Sequence, residues 1–483
     1  MRLLRAVLLA LPVSLAAQGI RVSGVTHVQV IELRPFSTDS VPASTIVGTG
    51  EWREGPFGVP AFCPAAGTHC QYTSAGQRLS VAPVMQELTV AGWGWVEGLS
   101  FHADLRARTQ MRGGSAFTFP RADDHFDVID AFAELEREVR GGSMRGRLGR
   151  QWIASGLGNY NFDGATVLFR RDAWHAEGWG GRALLGGLND SYTSPLLSAI
   201  ENLPPWQDGY LFGARVRLRP DPLGSASLTY QRVILADRSG LFSERVAFDA
   251  TARRYGAFAQ ASLAYDLAAG AWNDARLKVG TPTAGAFGGS VEARHYRPYF
   301  DLWTIWGAFA PVGYNEGRAI VDWRPHGNVT MSVHGAFRRY GDAEAGFELR
   351  TDGWRAGGDA VWTPSDDLFA TASYEVDIGS GAANTDGRVG VSWIRSDGTT
   401  LGADASVTQN IYEFRVGTGR IYGAMLRSVF PIRSDARVAL DVGLYQHVKT
   451  NGAAGPDWTQ RRASARFEWT VGRDPGARSE ARP

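Results

Sequence analysis

Between His125 and Arg171 apolar and charged residues take turns through three consecutive stretches. From Ile129 the odd positions Ile129, Ala131, Ala133, Leu135 and Val139 are apolar, while Asp130, Glu134, Glu136 and Glu138 hold even ones. A period of two sends alternate side chains to opposite faces, which predicts a β-strand. Past the turn at Gly141-Gly142-Ser143 the alternation resumes, with Met144, Gly146 and Leu148 set against Arg145 and Arg147. A hairpin that brings Val139 opposite Met144 predicts Glu138 across from Arg145 and Glu136 across from Arg147, joining opposite charges on one face. Slipping by one residue would invert both faces.

The same pattern recurs along nearly the whole chain. Leu99, Phe101, Ala103 and Leu105 oppose Ser100, His102, Asp104 and Arg106; Val438, Leu440, Val442 and Leu444 oppose Arg437, Asp441, Tyr445 and His447. Segments of about ten residues, parted by short turns alternating with longer connections, predict an all-β chain of about 16–22 strands, 22 being the best count. The long connections fall at 34–83, 186–206 and 298–313. The last, in RPYFDLWTIWGAFAPVGY, breaks the alternation and holds two prolines, so it reads as a structured loop.

Glycine numbers 59 among 483 residues and aromatics make up 11 %, which suits strands joined by tight turns. The net charge of +1 gives no reason to expect a nucleic-acid partner. Arg2 and Arg5 precede an apolar run from Ala6 to Leu15 with small residues after it, so residues 1–17 are expected to be a signal peptide. No later run reaches the ~20 apolar residues of a membrane-spanning helix. Cys63 and Cys70, close together in an exported chain, predict a loop disulfide. A metal site is not expected, because His69 alone cannot complete one.

Strands apolar on one face need a cover, and no amphipathic helix is at hand to supply it. Lipid can cover that face, and closure into an even-numbered antiparallel transmembrane β-barrel satisfies every strand edge in hydrocarbon. Trp93, Trp174, Tyr210, Trp323, Trp393 and Trp469 lie near strand ends, where barrels carry aromatic girdles. The expectation is one barrel over 18–471 with both termini periplasmic, a C-terminal tail over 472–483, and the outer-membrane bilayer as its surroundings.

Leu148-Gly149-Arg150-Gln151, a Gly/Asn-rich loop, and Phe162-Asp163-Gly164 opening the next strand together resemble Gram-negative porins of the alginate-export and phosphate-selective kinds. Those are outer-membrane barrels through which hydrophilic solutes cross, so the resemblance implies the same location; no cofactor is expected. Phe467-Glu468-Trp469 is similar to their closing strand, but a tail from Gly472 to Pro483 follows it. The resemblance carries no substrate residue to this sequence.

Neither GxSxG, HExxH nor a P-loop occurs, and Gly178-x-Gly180-x-x-Ala183 lies in a Trp-rich strand with no helix after it. An enzyme is not expected. A barrel this wide encloses more space than side chains can fill, which points to a channel for small hydrophilic solutes. Its wall candidates are Arg106, Arg108, Asp130, Glu134, Glu136, Glu138, Arg145, Arg147, Arg215 and Arg217. Acids pair with bases across the hairpin, so strong ion selectivity does not follow. Constriction is expected from the loops Pro35–Ser80, Gly186–Trp206 and Tyr299–Tyr314. One alternative is a surface-binding or structural barrel that works through loop residues such as Tyr299, Trp303 and Trp306. Another is an outer-membrane lipid hydrolase.

Overall fold

The computed structural model describes residues 19–33, 36–56, 60–75, 77–112, 125–184, 208–219, 224–236, 240–297, 313–341, 351–379, 383–410, 419–449 and 458–472. The expected signal peptide, residues 473–483 of the expected tail and Tyr299, Trp303 and Trp306 lie outside them, while Gly472 ends the last strand.

β1 (Ile20–Leu33) runs into a small antiparallel sheet made of β2 (Phe36–Pro42), β3 (Trp52–Glu54), β4 (Pro60–Phe62) and β5 (His69–Ala75). The chain returns through β6 (Leu79–Val81) and β7 (Pro83–Trp93), one strand interrupted at Ala82. Next come β8 (Leu99–Gln110), β9 (His125–Val139), β10 (Gly142–Ser155), β11 (Gly158–Arg171), β12 (Trp174–Leu184) and β13 (Asp208–Leu218). β14 (Gly224–Leu235), β15 (Leu241–Arg254), β16 (Ala257–Asp266), β17 (Ala271–Ala284), β18 (Phe287–Tyr296) and β19 (Tyr314–His326) continue the meander. β20 (Val329–Tyr340), β21 (Asp352–Ser365), β22 (Leu368–Ile378) and β23 (Ala383–Ile394) follow. The last four are β24 (Thr400–Asn410), β25 (Gly419–Arg433), β26 (Ala436–Lys449) and β27 (Trp458–Gly472).

Each strand of the large sheet pairs antiparallel with its sequence neighbours, and β1 lies between β7 and β27. With β6 and β7 counted as one, the sheet is a closed barrel of 22 strands. Among the described residues every strand of this sheet has a neighbour on both sides, which is the condition hydrocarbon sets for a spanning sheet. Among the described residues no helix is long and apolar enough to cross a membrane.

The register of the β9–β10 hairpin differs from the sequence expectation. Val139 faces Gly142, Glu136 faces Arg145 and Glu134 faces Arg147, two residues away from the expected pairing. Gly141, at φ +87°, lets a two-residue turn close the hairpin where a longer one was expected. An even slip leaves both faces unchanged.

Alternation sorts the wall into two faces. Leu148, Val216, Leu228, Val291, Phe337 and Leu426 are exposed on one, while Arg147, Arg215, Thr229, Glu292, Arg338 and Arg427 take the other. The charged face encloses the interior. Register irregularities near the short turns coincide with Pro282, Pro325, Pro364 and Pro431, residues that cannot donate to a ladder. Both ends of the described chain lie at the end of the barrel that carries the short turns, and the longer connections share the opposite end. At that opposite end Cys63 and Cys70 are joined by a disulfide inside the small core of the β2–β5 sheet, with Ile46 and Ala61.

Candidate functional site: the interior of the barrel

The inner face is a lattice of ion pairs between adjacent strands. Arg145 reaches Glu136 at 2.9 Å, Arg276 reaches Glu292 at 2.7 Å, Arg294 reaches Asp274 at 2.8 Å and Arg427 reaches Asp404 at 2.8 Å. All ten wall candidates named from the sequence fall on this face by register. Arg106 and Arg108 converge on Asp127, at 3.4 and 3.2 Å. Arg147 pairs with Glu134, and Arg215 with Glu177. Period-two alternation forces this sorting: once the exposed face is apolar, each neighbour must point inward.

The pairing of β10 and β11 runs past that of their flanks. β10 leaves β9 after Arg150, and β11 leaves β12 beyond Phe162, while the hairpin itself stays paired to Ser155 and Gly158. It turns into the barrel and crosses the inner face of β12 to β16. Ile153 and Phe162 pack among Trp179, Ala183, Leu211 and Val233, and Leu157 at the tip seats between Ala247 and Ala264. Arg215 donates to the Ala154 carbonyl at 2.7 Å, and the Arg245 guanidinium lies 5.7 Å from the Tyr160 ring centre.

Two devices allow the inward fold. Gly149, Gly164 and Gly181 stand in one cross-strand row. A Cβ on Gly164 would lie 2.1 Å from the Gly180 carbonyl oxygen, and one on Gly181 would lie 2.3 Å from that of Asp163. Only glycine permits so close an approach. The edge of β9 that β10 abandons is satisfied by side chains: Arg150 donates to the Val128 carbonyl at 3.0 Å and Asn161 to that of Ile129 at 2.9 Å. Arg150 is itself held by a bidentate pair with Asp163, at 2.7 and 3.0 Å.

Beside the hairpin tip, toward the short-turn end, six arginines surround a cavity of about 580 Å³: Arg145, Arg147, Arg170, Arg215, Arg217 and Arg219. Glu177 is the acid in its wall, and His175 completes the polar lining. Arg170 lies 3.9 Å from Glu136, and among the described residues neither Arg217 nor Arg219 forms an ion pair. The local balance is strongly positive, although the wall as a whole is paired. Sequence reasoning placed Arg145, Arg147, Arg215 and Arg217 on the wall and missed Arg170 and Arg219 at strand ends. The paired registers of β11 to β13 bring them together.

The narrowing by the β10–β11 tip was not foreseen either. Two of the three loops expected to constrict the barrel fall largely outside the described residues, and the first forms the disulfide-stapled sheet. The one group of metal-ligand type among the described residues is His102 with Asp104 and Asp130, at 3.1 and 3.3 Å. The imidazole bridges the two carboxylates and stacks on Phe132, 5.4 Å between ring centres.

No family model and no curated sequence matches the chain. Among solved structures it is similar to a BenF-like porin from Pseudomonas fluorescens Pf-5, at 8 % identity and a TM-score of 0.42, over 94 % of this chain and 99 % of that one. OccAB4 of Acinetobacter baumannii gives 8 % and 0.42, over 94 % and 99 %. The siderophore receptor PirA from Pseudomonas aeruginosa gives 10 % and 0.46, over 94 % and 80 %.

Proposed function

We propose that the protein is an outer-membrane channel for passive diffusion of small hydrophilic solutes, with its short turns and both described ends periplasmic. One observation carries this reading: a closed barrel of 22 strands is apolar outside and lined by charge inside. Such a barrel is stable only with hydrocarbon around it, and its interior is too wide for side chains to fill. The pore-lining residues are the ten wall candidates together with Arg170 and Arg219. Around the cavity of six arginines the excess positive charge draws anions, while the paired ladders elsewhere stay neutral and only hold the wall.

Reconstitution in a planar bilayer tests the reading. Stepwise currents are expected, with a reversal potential in a salt gradient displaced toward the anion. A folded barrel that gives no current would turn the reading toward binding through the loops, and release of fatty acid from phospholipid would turn it toward hydrolysis.

A further inference from the structure

The hairpin that enters the barrel has two parts with different footing. Its base is anchored through Ile153 and Phe162 in apolar surroundings. Its tip, residues 154–159, rests on polar wall. Thr229 stands in register between Arg215 and Ala247, and Gln231 stands beside Arg245, the residues the tip touches. Beneath it Thr229 is 0 % and Gln231 1 % exposed, yet neither the Thr229 hydroxyl nor either end of the Gln231 amide has a hydrogen-bond partner. A wall covered at all times is expected to be apolar or fully satisfied, because an unpartnered buried amide forfeits its hydration. A wall that is wet part of the time needs polar side chains.

The tip is also held lightly. Leu157 fills a seat made by two alanines, and its carbonyl and that of Ala154 accept from arginines, bonds that water can replace. Gly156 and Gly158, the latter at φ +112°, leave its backbone free to change. We propose that the tip is a gate within the channel, a reading that rests on the proposed function. Seated, it narrows the lumen; raised, it uncovers Thr229 and Gln231, which then line the path and bond to water.

A disulfide between Gly156→Cys and Ala247→Cys locks the seated state. A Cβ at 156 would lie 3.2 Å from that of Ala247, close to the span of a disulfide, and the nearby Asp249 carboxylate can swing aside. Single-channel recording of the double variant, oxidised and then reduced, reads the gate, with the wild type under the same reductant controlling for Cys63–Cys70. Conductance should be low when locked and rise about twofold or more on reduction, as population moves to the raised state. Leu157→Asp, whose carboxylate cannot sit between Ala247 and Ala264, should stay at the high level in both conditions and decides the matter if the double variant does not fold. Equal conductance of the wild type, the locked form and Leu157→Asp overturns the gate alone. Absence of current from all of them overturns the gate and the channel together.

Discussion

Arg245 donates from Nη2 to the carbonyl oxygen of Leu157 at 3.0 Å, joining β15 to a turn that belongs to β10 and β11. β15 stands four places from β11 in the sheet order, so only a hairpin laid over the inner face of the strands between can join them. The wall therefore holds the narrowing element at its tip as well as at its base, and the interior is shaped by one short hairpin as well as by its circumference.

Exchanging Arg217 and Arg219 for glutamate should move the reversal potential toward the cation, with the anion-to-cation permeability ratio falling by about threefold or more at low salt. Neutralising Arg427 with Asp404, an ion pair at 2.8 Å away from that cavity, should change the ratio far less. Equal shifts in the two variants would mean that the cavity of arginines does not set selectivity.

Gly164→Val puts side-chain atoms where the Gly180 carbonyl oxygen leaves 2.1 Å. We expect a loss of about 1–3 kcal/mol in reversible unfolding from lipid, as for other overpacked sites, and a wider conducting state if the hairpin no longer folds inward. Wild-type stability and conductance in this variant would refute the role of the glycine row.

Leu426 is 64 % exposed on the apolar face of β25. An arginine there should cost about 2–4 kcal/mol if it meets the middle of a bilayer. At the neighbouring Met425, which faces inward beside Asp404, the same exchange should be tolerated. Titrating both variants with urea in the presence of lipid vesicles compares them, and equal costs would contradict the assignment of faces.

Replacing Cys63 and Cys70 with serine should loosen the β2–β5 sheet, whose small core they complete. The local loss is about 2–3 kcal/mol for so short a closed loop. Limited proteolysis should cut within residues 36–75 while the barrel keeps its unfolding midpoint. A fall in that midpoint would show that the small sheet braces the wall.

Asp397, in a short turn, accepts the Thr399 amide hydrogen at 2.9 Å, and this hydrogen bond holds its carboxyl below the usual range. A value lowered by folding means that the contribution to the turn is complete above the ordinary carboxylate value and fades as pH falls through the folded one. The Thr399 amide resonance should therefore stay constant from neutral pH down through that ordinary value and move only in stronger acid. Movement at or above it would contradict the contact.

Much of the wall was legible because alternation is a local property. Leu99 to Leu105 and Val438 to Leu444 declare their faces without help from distant residues. The register of β9 on β10 was not legible, since a period of two is blind to an even slip and only the backbone at Gly141 separates the choices. The inward hairpin was hidden for a related reason. Gly149, Gly164 and Gly181 become a row only after two registers are fixed, and nothing in LGRQ or FDG marks the row on its own. Arg170 and Arg219 close strands, where pattern reading is weakest, yet they supply part of the charge that distinguishes the cavity.

The seam between β1 and β27 sets an order of assembly. The cylinder cannot be completed until β27 arrives, however early the intervening hairpins form. Until that moment the growing sheet has two raw margins, each able to capture a strand from another molecule. The last strand to pair therefore works as the zip: β27 alone removes both margins at once, by docking on β26 and β1 together.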